Sequence, residues 1–336
     1  MKRNRTKLLL VCVLFFTALF YYLIPFYKLT QTITGNSPLR LIFLNDRFKT
    51  TENIVNILLL GKGDAIHDGP NLTDSILVAS YNILEKKIFL ISIPRDVWSS
   101  TLEEKVNAAY AFGEAKQKGG GMILAKSEIG AVVDLPIHYA VVIDFDKFSE
   151  TIDLLGGLDI AVQHAFTDAK YPIKGKENDT CNGDIEYECR YETIRFEKGE
   201  QHMDGQTALK YARSRNAQGE QGTDFARGQR QQMIIGALAN KMLGVIKSGN
   251  AKKIEALYVK LNSAIERDIE NESAAFLAKK YVLSRNVELI NIPLSQELFE
   301  IPPVDDYYGK YVLVPKNNDF PELHKHILCK LGKSAC

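Results

Sequence analysis

The chain has 336 residues with 42 basic and 41 acidic side chains, a formal net charge of +1. That balance removes any bulk electrostatic case for nucleic acid, so an anion would have to be held locally. The length allows one large core or two modest ones, and the composition is globular, with no low-complexity tract or internal repeat.

Residues 1–7, MKRNRTK, carry four basic side chains and no acid, and LLLVCVLFFTALFYYLIPFY at 8–27 carries no charge. About 20 apolar residues cross a bilayer as a helix, and basic flanks keep their end in the cytoplasm. The expectation is a cytoplasmic tail, a single transmembrane helix at 8–27 and an extracytoplasmic remainder on the cytoplasmic membrane. A cleaved signal peptide is the competing reading, but the run is long for one and no small-x-small site follows. Residues 28–52 read as a juxtamembrane linker and 53–336 as one catalytic domain.

The apolar run from Ile54 to Leu60 reads as a buried strand running into a glycine-rich loop. SILVASYN and KKIFLISIP read as two more strands joined by a hairpin-like turn at 82–85. Residues 104–133 look helical, broken near Gly119 to Gly121. HYAVVIDF is a strand, DKFSETIDLLG a helix and LDIAVQ a strand. Residues 164–200 break the alternation and read as a stapled hairpin or loop insertion. Helices are expected over DGQTALKYARS, over Phe225 to Ile246, and twice within 249–283. A strand at VELINIP, a short strand near Tyr311 to Val314 and a helix from Pro321 complete the chain. Alternation of this kind argues for an α/β fold, an α+β sandwich with a central mixed β-sheet flanked by helices.

Cys12 falls in the apolar segment. The other cysteines lie as close pairs, Cys181 with Cys189 and Cys329 with Cys336. Exported chains keep disulfides; no CxxC spacing appears, no histidine lies near Cys181 or Cys189, and His326 three residues before Cys329 is too little for a zinc site, so two small-loop disulfides are expected.

Three stretches carry candidate chemistry. KYARSRNAQGEQGTDFARGQRQQ, residues 210–232, holds Arg213, Arg215, Arg227 and Arg230, with Gln231 and Gln232 following. Arg227 and Arg230 are three apart and would share a helix face. Guanidinium forks suit phosphate oxygens, and four of them suit an anion with two phosphates better than one carboxylate. A solvated amphipathic helix is the plainer alternative. SIPRDVW, residues 92–98, ends a strand at Ile93 and projects Arg95 and Asp96, where ligands bind in such sheets. An ordinary turn with a local ion pair is the alternative there. GKGDAIHDGPNLTDS, residues 61–75, carries Asp64, His67, Asp68 and Asp74 on a loop. Carboxylates facing phosphate-binding arginines suggest Mg²⁺, which takes one or two carboxylates plus phosphate oxygens. A solvent-facing Asp- and Gly-rich turn is the bland version. The Walker pattern GxxxxGK[ST], GxSxG and HExxH are all absent.

Taken in order, NILLLG, TDSILVAS, ISIPRD, KVNAAYAFG, DLLGGLDIAV, GEQHMDGQTALKYARSR and GTDFARGQRQQ resemble the LytR-CpsA-Psr family across residues 53–246. The resemblance implies a Mg²⁺-dependent phosphotransferase that moves a glycopolymer phosphate from a polyprenyl-pyrophosphate carrier to peptidoglycan or another envelope acceptor. It implies that Arg95, Arg213, Arg215, Arg227 and Gln231 grip the pyrophosphate, with Arg230 a further candidate, and that the prenyl tail lies in an apolar tunnel. Asp74 matches a metal-binding aspartate, Asp224 a functionally placed carboxylate, and Asp74 or Asp96 would take a proton from the acceptor hydroxyl. The chain departs from the family pattern at Gly63, where an aspartate is usual, and at Leu72-Thr73, where Arg-Ser is common. Asp64, His67 and Asp68 are the stand-ins at hand for the missing metal ligand. The cysteine-bearing insertion at 172–198 is extra to the family, either surface decoration or an acceptor-binding flap. Two other functions fit the same residues. One is a non-catalytic polyprenyl-phosphate sensor or attenuator of envelope synthesis, and the other is a pyrophosphatase acting on the lipid-linked pyrophosphate.

Overall fold

The computed structural model describes residues 24, 27–32, 48–62, 71–176, 178–284, 286–318 and 320–334. The tail and nearly all of the expected transmembrane helix lie outside the described residues, as do most of the linker, Gly63, Asp64, His67, Asp68 and Cys336. Residues 27–32 are helical, and among the described residues no helix is long and apolar enough to cross a membrane.

The first three strands are β1 (Ile54–Lys62), β2 (Thr73–Asn82) and β3 (Lys87–Ser92). They form an antiparallel meander whose turn falls at residues 83–86, as the alternation predicted. A short ribbon follows, β4 (Trp98–Ser99) with β5 (Glu104–Lys105). The expected helix over 104–133 therefore starts late. It comprises α1 (Ala109–Lys116) and α2 (Gly120–Val133), broken where Gly119 adopts φ +81°. A glycine accepts that left-handed turn without the Cβ clash other residues meet.

Next come β6 (Tyr139–Asp144), α3 (Phe145–Leu154) and β7 (Leu158–Val162). The insertion is framed by a hairpin, β8 (Phe166–Pro172) with β9 (Tyr191–Phe196), and β10 (Gly199–Met203) returns to pair with β7. Then follow α4 (Gly205–Arg213), α5 (Asp224–Lys247) and α6 (Ala251–Ala264). A three-residue strand, β11 (Ile265–Arg267), separates α6 from α7 (Asn271–Leu283) and was not expected. It is too short for a periodic signal, and its pairing with β6 is a long-range contact. The chain closes with β12 (Glu288–Pro293), β13 (Phe299–Glu300), β14 (Val314–Pro315) and α8 (Phe320–Lys330).

The main sheet is mixed and has the order β11-β6-β1-β2-β3-β12, with β1–β6 and β3–β12 parallel. Strand alternation puts Leu58 and Leu60 of β1, Ile76 and Val78 of β2, and Phe89 and Ile91 of β3 on one face. They meet Ile129 and Val133 of α2 and Ile327 of α8 in the larger core. Each such side chain contributes roughly 1.5–3 kcal/mol on burial. The second core lies among α3, α4, α5 and the two small ribbons, around Ile152, Phe196, Met203 and Ile234. Helix α5 approaches β3 closely because residue 228 is glycine. A Cβ there would stand 2.9 Å from that of Ser92. The adjacent Gln232 donates to Leu90 O at 3.1 Å and to Ser92 Oγ at 2.8 Å. This contact fixes the N-terminal end of α5 over the sheet end where β2 begins and β3 finishes.

Candidate functional site

That sheet end gathers alternating charges. Arg95 follows β3 and its Nη1 donates to Asp74 Oδ1 on β2. Its Nε lies 3.6 Å from Asp96 Oδ2 and 4.0 Å from Asp224 Oδ2. Asp96 is closed off by Lys105 Nζ at 2.6 Å, and Asp224 pairs with Arg227 Nη2 at 3.1 Å, one turn along α5. Thr223 caps α5, accepting from Ala226 N at 3.2 Å, so Asp224 occupies the first turn. A carboxylate there is favoured by the helix dipole.

Arg213 ends α4 and Arg215 follows two residues later. Both line a cleft of about 530 Å³ together with Asp74, Arg227 and Gln231. The structure therefore brings together side chains from β2, α4, the loop after it and α5. Arg213 stacks over the Phe145 ring, 5.5 Å from its centroid. Phe145 can sit there because residue 61 is glycine; a Cβ at that position would collide with the ring. Gln231 is tied into the scaffold. Its Oε1 accepts from Ser75 Oγ at 2.7 Å and its Nε2 donates to Ala212 O at 3.4 Å. The apolar lining is short (Phe145, Tyr171, Pro172, Ile173, Tyr191 and Leu209), and the rest is polar.

Arg95, held among Asp74, Asp96 and Asp224, does not line this cleft, and neither does Arg230. Arg230 Nε donates to Tyr211 O at 2.9 Å, its Nη1 to Gln221 O at 3.0 Å, and its Nη2 to Ser214 O. It stacks on Phe166 at 4.7 Å and is 3 % exposed. Arg230 thus does not share the cleft with Arg227; it binds the carbonyls that end α4. Helical spacing put the two residues on neighbouring positions, but long side chains from one face diverge when each finds different partners.

Sequence reading missed Asp168. It is 0 % exposed and accepts from Ser214 Oγ at 2.7 Å, Asn216 N at 3.1 Å and Arg215 N at 3.3 Å. It also accepts from Lys170 N at 3.0 Å. It therefore sets the backbone between the two cleft arginines. Nothing in FTDAKYP marks it, because its role exists only once β8 lies beside that loop. Lys105, Lys174 and Lys210 were missed as well; of these Lys210, three residues before Arg213 on α4, was visible from helical spacing. The insertion contributes Pro172, Ile173, Lys174, Tyr191 and Glu192 to the cleft wall. It carries the expected Cys181–Cys189 disulfide, with Cα atoms 5.5 Å apart.

Electrostatics follow from burial and pairing. Burial works against the charge on Arg95, but Asp74, Asp96 and Asp224 outweigh it and hold its pKa above the ordinary value. Burial pushes the Asp224 carboxyl up; Arg227 pulls it down, and Asp96, which hydrogen-bonds it, adds to the rise. Burial lowers Arg227 despite Asp224 and takes Arg230 down to about 10. Among the described residues no trio of acidic or histidine ligands converges at the cleft. Asp74 nonetheless fits a hard cation by donor chemistry. It is an oxygen ligand whose Oδ1 pairs with Arg95, on the wall where a phosphate would lie, and Mg²⁺ needs only one or two carboxylates beside phosphate oxygens.

Known proteins share this arrangement of chain. TagV of Bacillus subtilis (strain 168), a polyisoprenyl-teichoic acid–peptidoglycan teichoic acid transferase, is 29% identical over 262 residues, 75% of this chain and 59% of its own. TagU of Bacillus cereus (strain AH820), of the same description, is 28% identical over 220 residues, 64% of this chain and 59% of its own. The chain thus spans about 59% of the length of these curated relatives. The crystal structure of B. subtilis TagV superposes with a TM-score of 0.56 at 24% identity, covering 85% of this chain and 100% of that one. A structure of TagT bound to LI-WTA gives 0.55 at 21% identity, covering 85% and 95%. These likenesses show the fold. The LytR_cpsA_psr family model matches residues 28–324, reaching well past the seven sequence blocks on both sides, and the chain belongs to that family.

Proposed function

We propose that this protein transfers a glycopolymer phosphate from a polyprenyl-pyrophosphate carrier to peptidoglycan or another envelope acceptor, as a membrane-anchored, Mg²⁺-dependent enzyme. The observation that carries the reading is the convergence of Arg213, Arg215 and Arg227 with Asp74 on one cleft. Three guanidiniums match the oxygens of a pyrophosphate, and the relatives are described as transferases of a polyisoprenyl-linked teichoic acid. Mg²⁺ held by Asp74 would neutralise charge on the phosphate oxygens.

The chain's own residues supply the rest. Arg213 and Arg215 orient the pyrophosphate, and Arg227 stabilises charge that grows on the leaving phosphate. The acceptor hydroxyl oxygen bonds to the sugar-side phosphorus, the bridging P–O bond breaks, and polyprenyl phosphate leaves with the electron pair. Three carboxylates, Asp74, Asp96 and Asp224, surround Arg95 and are the candidates to take the hydroxyl proton. Asp96 is engaged by Lys105 and Arg95, and Asp74 by Arg95. Asp224 is engaged too, by Arg227 at 3.1 Å; Asp74 lines the cleft itself, so we assign the proton to Asp74 or to Asp96 across Arg95 from it.

The test is glycan transfer from a synthetic polyprenyl-pyrophosphate donor to uncross-linked peptidoglycan. Arg213→Ala and Arg215→Ala should each lower kcat by about 10²–10³-fold while the fold survives. Near-wild-type turnover in both variants would end the assignment. Product analysis separates the alternatives: covalent glycan on the acceptor means transfer, free glycan phosphate means hydrolysis, and binding without either means a sensor.

A further inference from the structure

Residues 301–313 form a loop closed at its base by β13 and β14, where Phe299 faces Pro315 and Glu300 faces Val314. The loop is registered to the stretch that carries Arg95 and Asp96. Leu313 N donates to Asp96 O, and Trp98 N donates to Leu313 O, each at 2.9 Å. Lys310 pairs with Glu104 on β5. Next to it, Lys105, the partner of Asp96, lies 5.9 Å from the centre of the Tyr311 ring. On the outer side Trp98 meets Tyr307 edge-on at 5.0 Å and lies tilted against Tyr308 at 6.3 Å. Tyr308 is 70 % exposed and Tyr311 49 %.

We propose that Trp98, Tyr307, Tyr308 and Tyr311 form a platform that binds a sugar ring of the acceptor glycan. This inference rests on the phosphotransfer reading. A sugar ring has an apolar C–H face that stacks on an aromatic ring and a rim of hydroxyls that need polar partners. The platform offers both: aromatic faces with phenol hydroxyls, beside the carboxylates of Asp305 and Asp306. Its position suits an acceptor. The arginine cleft meets the central charge group through Asp74 and Arg227, while the platform meets it through Lys105 and Tyr311. The Tyr311 phenol is raised by burial and then by Asp96 and Asp224, which places it within their field. A sugar on the platform would thus lie beside the carboxylates that surround Arg95. A lipid surface suits this patch poorly, because Asp305, Asp306 and Glu300 would face anionic headgroups, while Lys310 and Lys105 beside them are paired with Glu104 and Asp96.

Trp98 is the only tryptophan of the chain, so its emission reports on this place alone. The full-length chain in detergent micelles is titrated with the N-acetylglucosamine tetramer as probe. A saturable change in Trp98 emission is expected. Tyr311→Ala and Tyr308→Asn should each weaken it about tenfold. Asparagine is chosen at 308 because that residue has φ +57°, which asparagine tolerates. Tyr308→Phe should stay close to wild type, and the melting temperature should not move. No emission change with the tetramer, or an unchanged midpoint in both tyrosine variants, overturns the platform. So does a change produced by phosphatidylglycerol vesicles and not by the tetramer. The two readings fail separately. A chain that transfers glycan with an acceptor KM unmoved by Tyr308→Asn keeps phosphotransfer and loses the platform. A chain that binds the tetramer through these tyrosines but transfers nothing keeps the platform and loses phosphotransfer.

Discussion

Replacing Asp168 by alanine should damage the site without touching a ligand. The carboxylate accepts from the Ser214 hydroxyl and from the backbone N–H groups of Lys170, Arg215 and Asn216, at 2.7 to 3.3 Å, with no exposure to water. A hydrogen bond to a charged group contributes roughly 1.5–3 kcal/mol, and the donors left behind would be buried and unmatched. Unmatched buried donors cost about 1–3 kcal/mol each and such contributions do not add, so the expected loss is about 3–5 kcal/mol. For a domain of this size that is roughly 10 °C in melting temperature. Asparagine keeps one acceptor oxygen near Ser214 and should cost about 1–2 kcal/mol. Activity at low temperature, where both variants are folded, carries the sharper signal. Arg213 and Arg215 flank the loop that Asp168 holds, and a displacement of about 1 Å costs on the order of 10²-fold in rate. The assay is thermal melting of the full chain followed by donor transfer at 10 °C below the variant's own midpoint, an offset of roughly the size of the expected shift. An alanine variant that melts like wild type and keeps its kcat would refute the reasoning, since it would mean the loop holds itself.

Arg230→Ala should lower the melting temperature sharply, because Tyr211, Gln221 and Ser214 each lose a donor, whereas Arg215→Ala should lower activity with little change in melting. Reversal of that pattern would mean the structural and ligand-binding roles are misassigned. Asp224 is neutral below its raised pKa and charged above it, so wild-type affinity for inorganic pyrophosphate should fall as pH rises through that value, and Asp224→Asn should remove this component. The stability sign is the same: the folded state holds the proton more tightly than the unfolded chain, so wild type loses stability relative to Asp224→Asn as pH rises from the unfolded pKa to the folded one. Melting curves of the two proteins that stay parallel across pH would contradict a raised Asp224 pKa. Gly61→Ala should drive Phe145 out of place and cost about 1–3 kcal/mol; the accompanying rise in donor KM, through Arg213, distinguishes it from a plain packing defect.

Much of this was legible from local pattern. The β1–β3 meander, the α1/α2 break at Gly119 and the long helix after Thr223 all follow from short-range periodicity and capping. Arg213, Arg215, Arg227, Asp74 and Gln231 were chosen from motif order, and the fold places them on one cleft. What stayed hidden depends on partners distant in sequence. Arg230 looks like Arg227 until the carbonyls of Tyr211 and Ser214 are brought beside it. Asp168 looks like any strand aspartate until the loop after α4 closes over it. β11 exists only because β6 has a free edge for it.

The anchoring of Leu313 to Asp96 and Trp98 has a temporal consequence. A polypeptide leaves the ribosome from its N-terminus, and the early parts of a domain can begin folding while the rest is still being made. Here the stretch holding Arg95 and Asp96 is completed by backbone hydrogen bonds from residues made more than two hundred positions later. The nascent chain therefore carries Arg95 and Asp96 well before it carries the segment that braces them. The order of this charge cluster thus waits on Leu313, and a chain stopped short of it lacks the brace on Arg95 and Asp96.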